Sequence, residues 1–304
     1  MHIKVLGSAA GGGFPQWNCN CPNCDGVRKG TIRARPRTQS SIAVSADGAD
    51  WVLLNASPDV LAQFRAAPQL QPARAIRDTA VRAIILIDAQ IDHTTGLLML
   101  REGAPLEIYC TDMVREDLTS GNPLFRVLDH YCGVRWHPIA ADGASAFGVS
   151  GAEGLAFTAV PLKSKAPPYS PHRDDPHQGD NIGVRIVDRA SGKALFYAPG
   201  VGEIEPHLAP FLAAADCLMI DGTFWTEDEL VRLGISQKRA RDMGHLPQSG
   251  QGGMIDVLKP LNAARKILIH INNTNPILNE DSAERRALEA AAIEVAYDGM
   301  EVRL

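Results

Sequence analysis

Ile84-Ile85-Leu86-Ile87-Asp88-Ala89-Gln90-Ile91-Asp92-His93 runs from a short β-branched strand straight into a cluster of polar side chains. Thr94-Thr95-Gly96-Leu97-Leu98-Met99-Leu100 follows and reads as the start of a helix. Two further strands end the same way. Cys217-Leu218-Met219-Ile220 stops at Asp221, and Lys266-Ile267-Leu268-Ile269 stops at His270. An Asp or His placed directly after a buried apolar run is costly unless it is paired or bound to something. If the three strand ends converge at one sheet edge, carboxylates and imidazoles meet in the composition of a zinc, iron or manganese site.

Each residue also has a plainer reading. An Asp after a strand often caps the next turn, and for Asp221, before Gly222-Thr223, capping is nearly as good a reading as ligation. A satisfied core histidine is the alternative for His270. Asp92, His93 and His270 together give two histidines and one carboxylate, the set typical of non-haem iron oxygenases. Asp88 and Gln90 are weak ligands, better placed to support the ligands or meet substrate.

Trp17-Asn18-Cys19-Asn20-Cys21-Pro22-Asn23-Cys24-Asp25-Gly26 holds a second constellation. Cys-x-Cys-x-x-Cys lets a tight turn aim three thiolates at one tetrahedral zinc, a structural site. Asn273 or a histidine would complete the set. A redox or disulfide pair is the competing reading, disfavoured for three thiols in a reducing compartment. Cys110, Cys132 and Cys217 lie in apolar settings and are expected to be buried.

The rest of the chain alternates strands with helices. Ser40–Val44 and Trp51–Asn55 flank a turn, and Ser57-Pro58-Asp59 caps a helix over Val60–Ala66, with Pro58 at its first position. Strands are expected over Val81–Ile87, Leu106–Cys110, Leu155–Leu162, Ile182–Val187, Lys193–Ala198, Val295–Tyr297 and Glu301–Leu304, and a helix over Ala283–Ala292. This order fits an α/β sandwich of two sheets flanked by helices. Lys163–Asn181 is a long irregular loop, of the kind that is often functional. Gly11-Gly12-Gly13 lacks the Lys-Ser/Thr of a phosphate-binding loop.

Composition sets outer bounds. A chain of 304 residues with 45% hydrophobic content can bury a sizeable core. A net charge of −5 and no Lys/Arg-rich run argue against a general nucleic-acid surface. No secretory leader and no membrane-length apolar run is visible, so a cytoplasmic location is the default expectation.

The run Asp88–His93 resembles the metal loop of the metallo-β-lactamase superfamily, His-x-His-x-Asp-His, with Asp88 and Gln90 in place of two histidines. Lys163-Ser164-Lys165 also stands where many superfamily hydrolases carry another histidine. Val5–Cys19, Asp88–Leu97, Ala166–His172 and His270–Pro276 together resemble the coenzyme PQQ synthesis protein B family, over Met1 to Leu304. The resemblance implies one αββα metallo-β-lactamase-like domain over 1–304 and a place in pyrroloquinoline quinone (PQQ) biosynthesis. In that pathway a tyrosine ring must gain oxygens. The expectation is an Fe(II)-dependent hydroxylase acting on a cross-linked Glu-Tyr intermediate, with zinc able to substitute at the site. Asp92, His93, His270 and Asp221 would hold the metal, and His245 would assist proton transfer or be a plain loop histidine. Lys163, Lys165, His172 and Arg173 would bind substrate carboxylates, or be simply solvated. Other pathway enzymes and a second copy of the chain are the expected partners. A two-metal hydrolase and a carrier of PQQ or its precursor are the competing classes.

Overall fold

The apolar runs become strands of two seven-stranded sheets in a computed structural model that describes residues 1–304. The strands are β1 (His2–Gly7), β2 (Ser41–Ser45), β3 (Trp51–Leu54), β4 (Val81–Ile85), β5 (Leu106–Cys110), β6 (Val134–Pro138) and β7 (Ala146–Phe147). They continue as β8 (Leu155–Pro161), β9 (Ile182–Asp188), β10 (Ala194–Ala198), β11 (Cys217–Asp221), β12 (Arg265–Ile269), β13 (Glu294–Val295) and β14 (Glu301–Arg303). The first sheet is ordered β14-β1-β2-β3-β4-β5-β6 and the second β13-β12-β11-β10-β9-β8-β7.

Strands β3 to β6 are parallel, as are β10 to β13. Parallel strands buried on both faces read as continuous apolar runs. Here Ile85 and Ile87 enter the core between the sheets, while Ile84 and Leu86 face the helices outside. On the other sheet Cys217 and Met219 point inward and Leu218 and Ile220 outward. The core between the sheets has 29 buried residues, and each outer face has its own, of 24 and 20. The result is an αββα sandwich. Ligands in such sheets gather beyond the carboxyl ends of parallel strands. Those ends of β4, β11 and β12 carry Asp88, Asp221 and His270.

Some boundaries differ from expectation. Strand β4 ends at Ile85, because Asn55 Oδ1 takes the Ile87 N–H (3.2 Å) and the Ile87 carbonyl accepts from Ile182 of the other sheet (2.9 Å). Pro58 precedes the helix Val60–Ala66, whose N-cap is Asp59. The run after His93 is one helical turn, Ile91–Thr94, continued as a 3₁₀ turn to Leu100. Gly96 is required there, since a Cβ would lie 2.1 Å from the Ser57 carbonyl oxygen. Edge strands β6 and β7 were not expected: Val134-Arg135-Trp136-His137-Pro138 is half exposed and has no apolar run.

Candidate metal centre

The three strand ends meet. Asp92 and His93 lie on the turn after β4, and His270 directly follows β12. One ligand atom from each lies within 4.8 Å of the others. Asp92 Oδ2 is 3.2 Å from His270 Nε2 and 3.9 Å from His93 Nε2. His270 sits at φ 60°, a left-handed conformation that costs a histidine about 1–3 kcal/mol.

Each imidazole is held by an oxygen on its other nitrogen. Asp88 Oδ1 receives His93 Nδ1–H at 2.8 Å. His270 Nδ1 meets Thr223 Oγ1 at 2.9 Å, and His245 Nδ1 meets Asp221 Oδ2 at 2.7 Å. This is the outer shell that fixes tautomer and ring orientation in metal sites. It turns Nε2 of His93 and of His270 toward Asp92. His93 Nε2 is buried and has no hydrogen-bond partner, although buried nitrogens are almost always satisfied. A cation between Asp92, His93 and His270 fits that orphaned lone pair.

The electrostatics also favour positive charge here. Burial opposes charging His93, but the nearby Asp88 and Asp92 carboxylates prevail and lift its pKa to about 9. Burial likewise opposes ionising Asp92, and His93 and His270 outweigh it, so its pKa falls. Asp221 follows the same pattern through His245.

Asp221 is placed differently from a free ligand. Its Oδ1 accepts from Thr223 N (2.9 Å) and Oγ1 (2.7 Å), and its Oδ2 accepts from Val201 N (2.8 Å) and from His245. It still groups with His245 and His270 within 4.8 Å. Thr223 is the residue that sequence reading missed. Its hydroxyl lies within 3.1 Å of Asp221, His245 and His270, but a threonine after Asp-Gly reads only as turn chemistry.

A cavity of about 240 Å³ opens over this cluster, lined in part by Gln90, Ser164, Asn181, Phe224 and Asn272. Gly11 also lines it, and a Cβ there would come 3.3 Å from Asp92 Oδ2. Gln90 Nε2 donates to the Lys165 carbonyl (3.2 Å). None of the four basic loop side chains lines this cavity. Lys163 pairs with Glu203 at 2.6 Å and His172 with Glu116 at 3.0 Å, while Arg173 donates to the Ala166 carbonyl. The loop reaches the site instead through Ser164 and Asn181, and Tyr169 donates to the Ala89 carbonyl.

The cysteine motif forms its own cluster. Cys19, Cys21 and Cys24 bring their sulfurs within 4.8 Å at the start of the helix Pro22–Lys29. Asn273 Nδ2 lies 3.3 Å from Cys24 Sγ and 3.7 Å from Cys21 Sγ. Turning that amide over would present its oxygen as a fourth donor. Burial pushes the Cys21 thiol up to about 12, while the Cys21 N–H and neighbouring side chains outweigh burial at Cys19 and lower it. A bound cation would compensate three crowded thiolates.

Two sheets with helices outside, and a carboxylate–histidine cluster at the parallel strand ends, define a protein of the metallo-β-lactamase fold. The model of the β-lactamase superfamily domain matches residues 50–271. The chain is 68% identical over its full length to all of coenzyme PQQ synthesis protein B of Methylobacillus flagellatus, and 63% identical to all of its counterpart in Nitrosococcus oceani. The chain belongs to the coenzyme PQQ synthesis protein B family. The crystal structure of zinc-bound PqqB from Methylobacterium extorquens superposes with a TM-score of 0.90 at 38% identity, covering both chains completely. A diphosphatase of the PhnP family shares the fold at 19% identity, with a TM-score of 0.68 over 99% of this chain and 96% of its own. Zinc in a relative and three donor groups here, two of which share His270, support a metal cofactor.

Proposed function

We propose that this chain acts in PQQ biosynthesis as a metal-dependent hydroxylase of the tyrosine ring in the cross-linked Glu-Tyr precursor. Family membership supports the pathway. The reaction class rests on one observation: the cluster keeps donors for one metal and commits the others. Asp88 holds His93, Gln90 holds the Lys165 carbonyl, and Asp221, which groups with His245 and His270, already meets four hydrogen-bond partners, so none of the three is left to build the second position that two-metal hydrolysis uses. Asp92, His93 and His270 remain as a two-histidine, one-carboxylate face.

Fe(II) held on that face, with zinc as a competing occupant, would supply dioxygen activation beside the ring. The residues do the rest. Asp88 and Thr223 hold the two ligand imidazoles in the tautomer that presents Nε2. His245, with Nδ1 on Asp221, offers Nε2 to a substrate proton in the cavity, and Asp221 raises its basicity against its burial. Ser164 and Asn181 bring the long loop to the cavity wall, where it excludes water. The structural zinc is assigned to Cys19, Cys21 and Cys24 with Asn273 completing the set.

The test is to load the protein with Fe(II), supply the Glu-Tyr intermediate in air with ascorbate, whose two electrons take the second oxygen atom of dioxygen to water, and follow its mass. Added oxygen that disappears in Asp92→Ala is the expected result. Turnover with zinc and two metals in this cavity would assign a hydrolase. Tight binding without turnover, equal in wild type and Asp92→Ala, would assign carriage of the precursor.

A further inference from the structure

A second charged cavity, of about 160 Å³, shares no lining residue with the metal centre. It lies between the segment Arg33–Arg37, the helix Ala283–Ala290 and Tyr297. Four guanidinium groups face it, from Arg33, Arg35, Arg37 and Arg285, against only Glu280 and Glu289. Glu280 is already shared by Arg33 (3.1 Å) and Arg35 (3.2 Å), and Arg33 also holds Asp281 (2.6 Å).

The inner two arginines have no carboxylate in ion-pair contact. Arg37 is 4% exposed. Its Nε donates to the Ala296 carbonyl (3.3 Å) and its Nη1 to that of Arg35 (3.1 Å). Arg285 Nη1 donates to the Ile277 carbonyl (3.1 Å). Asp298, the other nearby acid, is engaged by Ser8 and Thr38. Carbonyls satisfy N–H groups without neutralising a buried charge; Asp298 and Glu280 act on Arg37, and Glu280 and Glu289 on Arg285, only from beyond ion-pair distance. Burial drags the Arg37 guanidinium down to about 10; Asp298 and Glu280 oppose this, and the positive Arg285 and Arg35 add to the depression. Arg35 lies over the Tyr297 ring at 5.0 Å, which holds its planar fork in place at the mouth.

We propose that this cavity is a binding site for a compact, multiply charged oxyanion, with Arg37 and Arg285 at its base and Arg35 closing over it. Guanidinium forks match phosphate and carboxylate oxygens in bidentate geometry, and the cavity volume suits one such group. The anion gives Arg37 and Arg285 the ion-pair contact that the surrounding carboxylates do not make.

Calorimetric titration of the metal-loaded protein in chloride buffer, with inorganic phosphate in one arm and malonate in the other, tests this. One saturable site is expected for at least one of them. Saturation by phosphate alone assigns a tetrahedral oxyanion, and by malonate alone a dicarboxylate. Arg35→Gln and Arg285→Gln should each weaken binding at least about tenfold, the loss of one charge-assisted contact. Asp92→Ala should bind the anion as wild type does. No saturable binding in either arm, wild-type affinity in both arginine variants, or loss of binding in Asp92→Ala would overturn the assignment; the last would place the anion on the metal.

Discussion

At the residue scale the centre depends on oxygens that hold ligands as well as on the ligands. Asp88 fixes His93 by one hydrogen bond of 2.8 Å, so Asp88→Ala leaves the imidazole free to turn or change tautomer. Losing such a partner typically costs metal affinity about 10–100-fold. Competition against a chelator should show that loss, with one metal still bound in this cavity at saturation. Thr223→Val keeps the shape and removes the hydroxyl shared by Asp221, His245 and His270. Asp221 Oδ1 loses its hydroxyl donor and His270 Nδ1–H its acceptor, and a buried polar group left unpaired costs about 1–3 kcal/mol, so thermal denaturation should show a clear drop in Tm. Unchanged stability and metal affinity in Thr223→Val would reduce its hydroxyl to a turn-former. His270 was legible in the sequence because it directly follows an apolar run, and Asp92-His93 because the pair resembles the end of the superfamily's metal loop. Thr223 was not, because its role comes from three partners up to 47 residues away.

At the scale of elements, the loop Lys163–Asn181 rests on a buried acidic pair. Asp117 is fully buried with no hydrogen-bond partner on either carboxylate oxygen, and Asp180 has one oxygen without a partner. Burial raises the Asp117 pKa from 3.8 to about 6; Asp180 and Glu116 add to the rise, and Ser170 and His172 oppose it. The folded state therefore holds this proton more tightly than the unfolded chain. That stability is fully present below about pH 4 and is lost as pH rises through about 6. Asp117→Asn, neutral throughout, should be more stable than wild type above pH 7 by about 1–3 kcal/mol and lose the advantage near pH 4. Parallel denaturation curves at the two pH values check this, and an equal difference at both would contradict it. The loop was recognisable from its prolines and length. Its basic residues were misleading, because the partners of Lys163 and His172, Glu203 and Glu116, lie 40 and 56 positions away. Edge strands β6 and β7 were invisible for a related reason: a half-exposed strand needs no apolar run.

At the scale of the whole molecule, the two donor clusters are near neighbours. Gly11 and Asn272 line both the metal-centre cavity and a larger one of about 580 Å³ beside Cys19 and Cys21. Asn273, which meets the thiols, is three residues past His270, so one segment serves both clusters. Despite that proximity the two should behave as separate sites with different energetic roles. The thiolate cluster joins Cys19–Cys24 to the His270–Asn275 turn over some 250 positions of sequence, and Asn23 adds hydrogen bonds to the Asn273 and Asn275 carbonyls. A cation there cross-links distant chain segments, and its binding energy becomes folding energy. The centre on Asp92, His93 and His270 sits on strands already held by the sandwich core, so losing its cation should leave the fold intact. Metal content per chain should be two in the wild type, one in Cys24→Ser, one in Asp92→Ala and none in the double variant. Tm should fall sharply in Cys24→Ser and little in Asp92→Ala. Elemental analysis with thermal denaturation of the four proteins checks both, and an Asp92→Ala protein that loses both metals and unfolds with Cys24→Ser would show one coupled site instead of two.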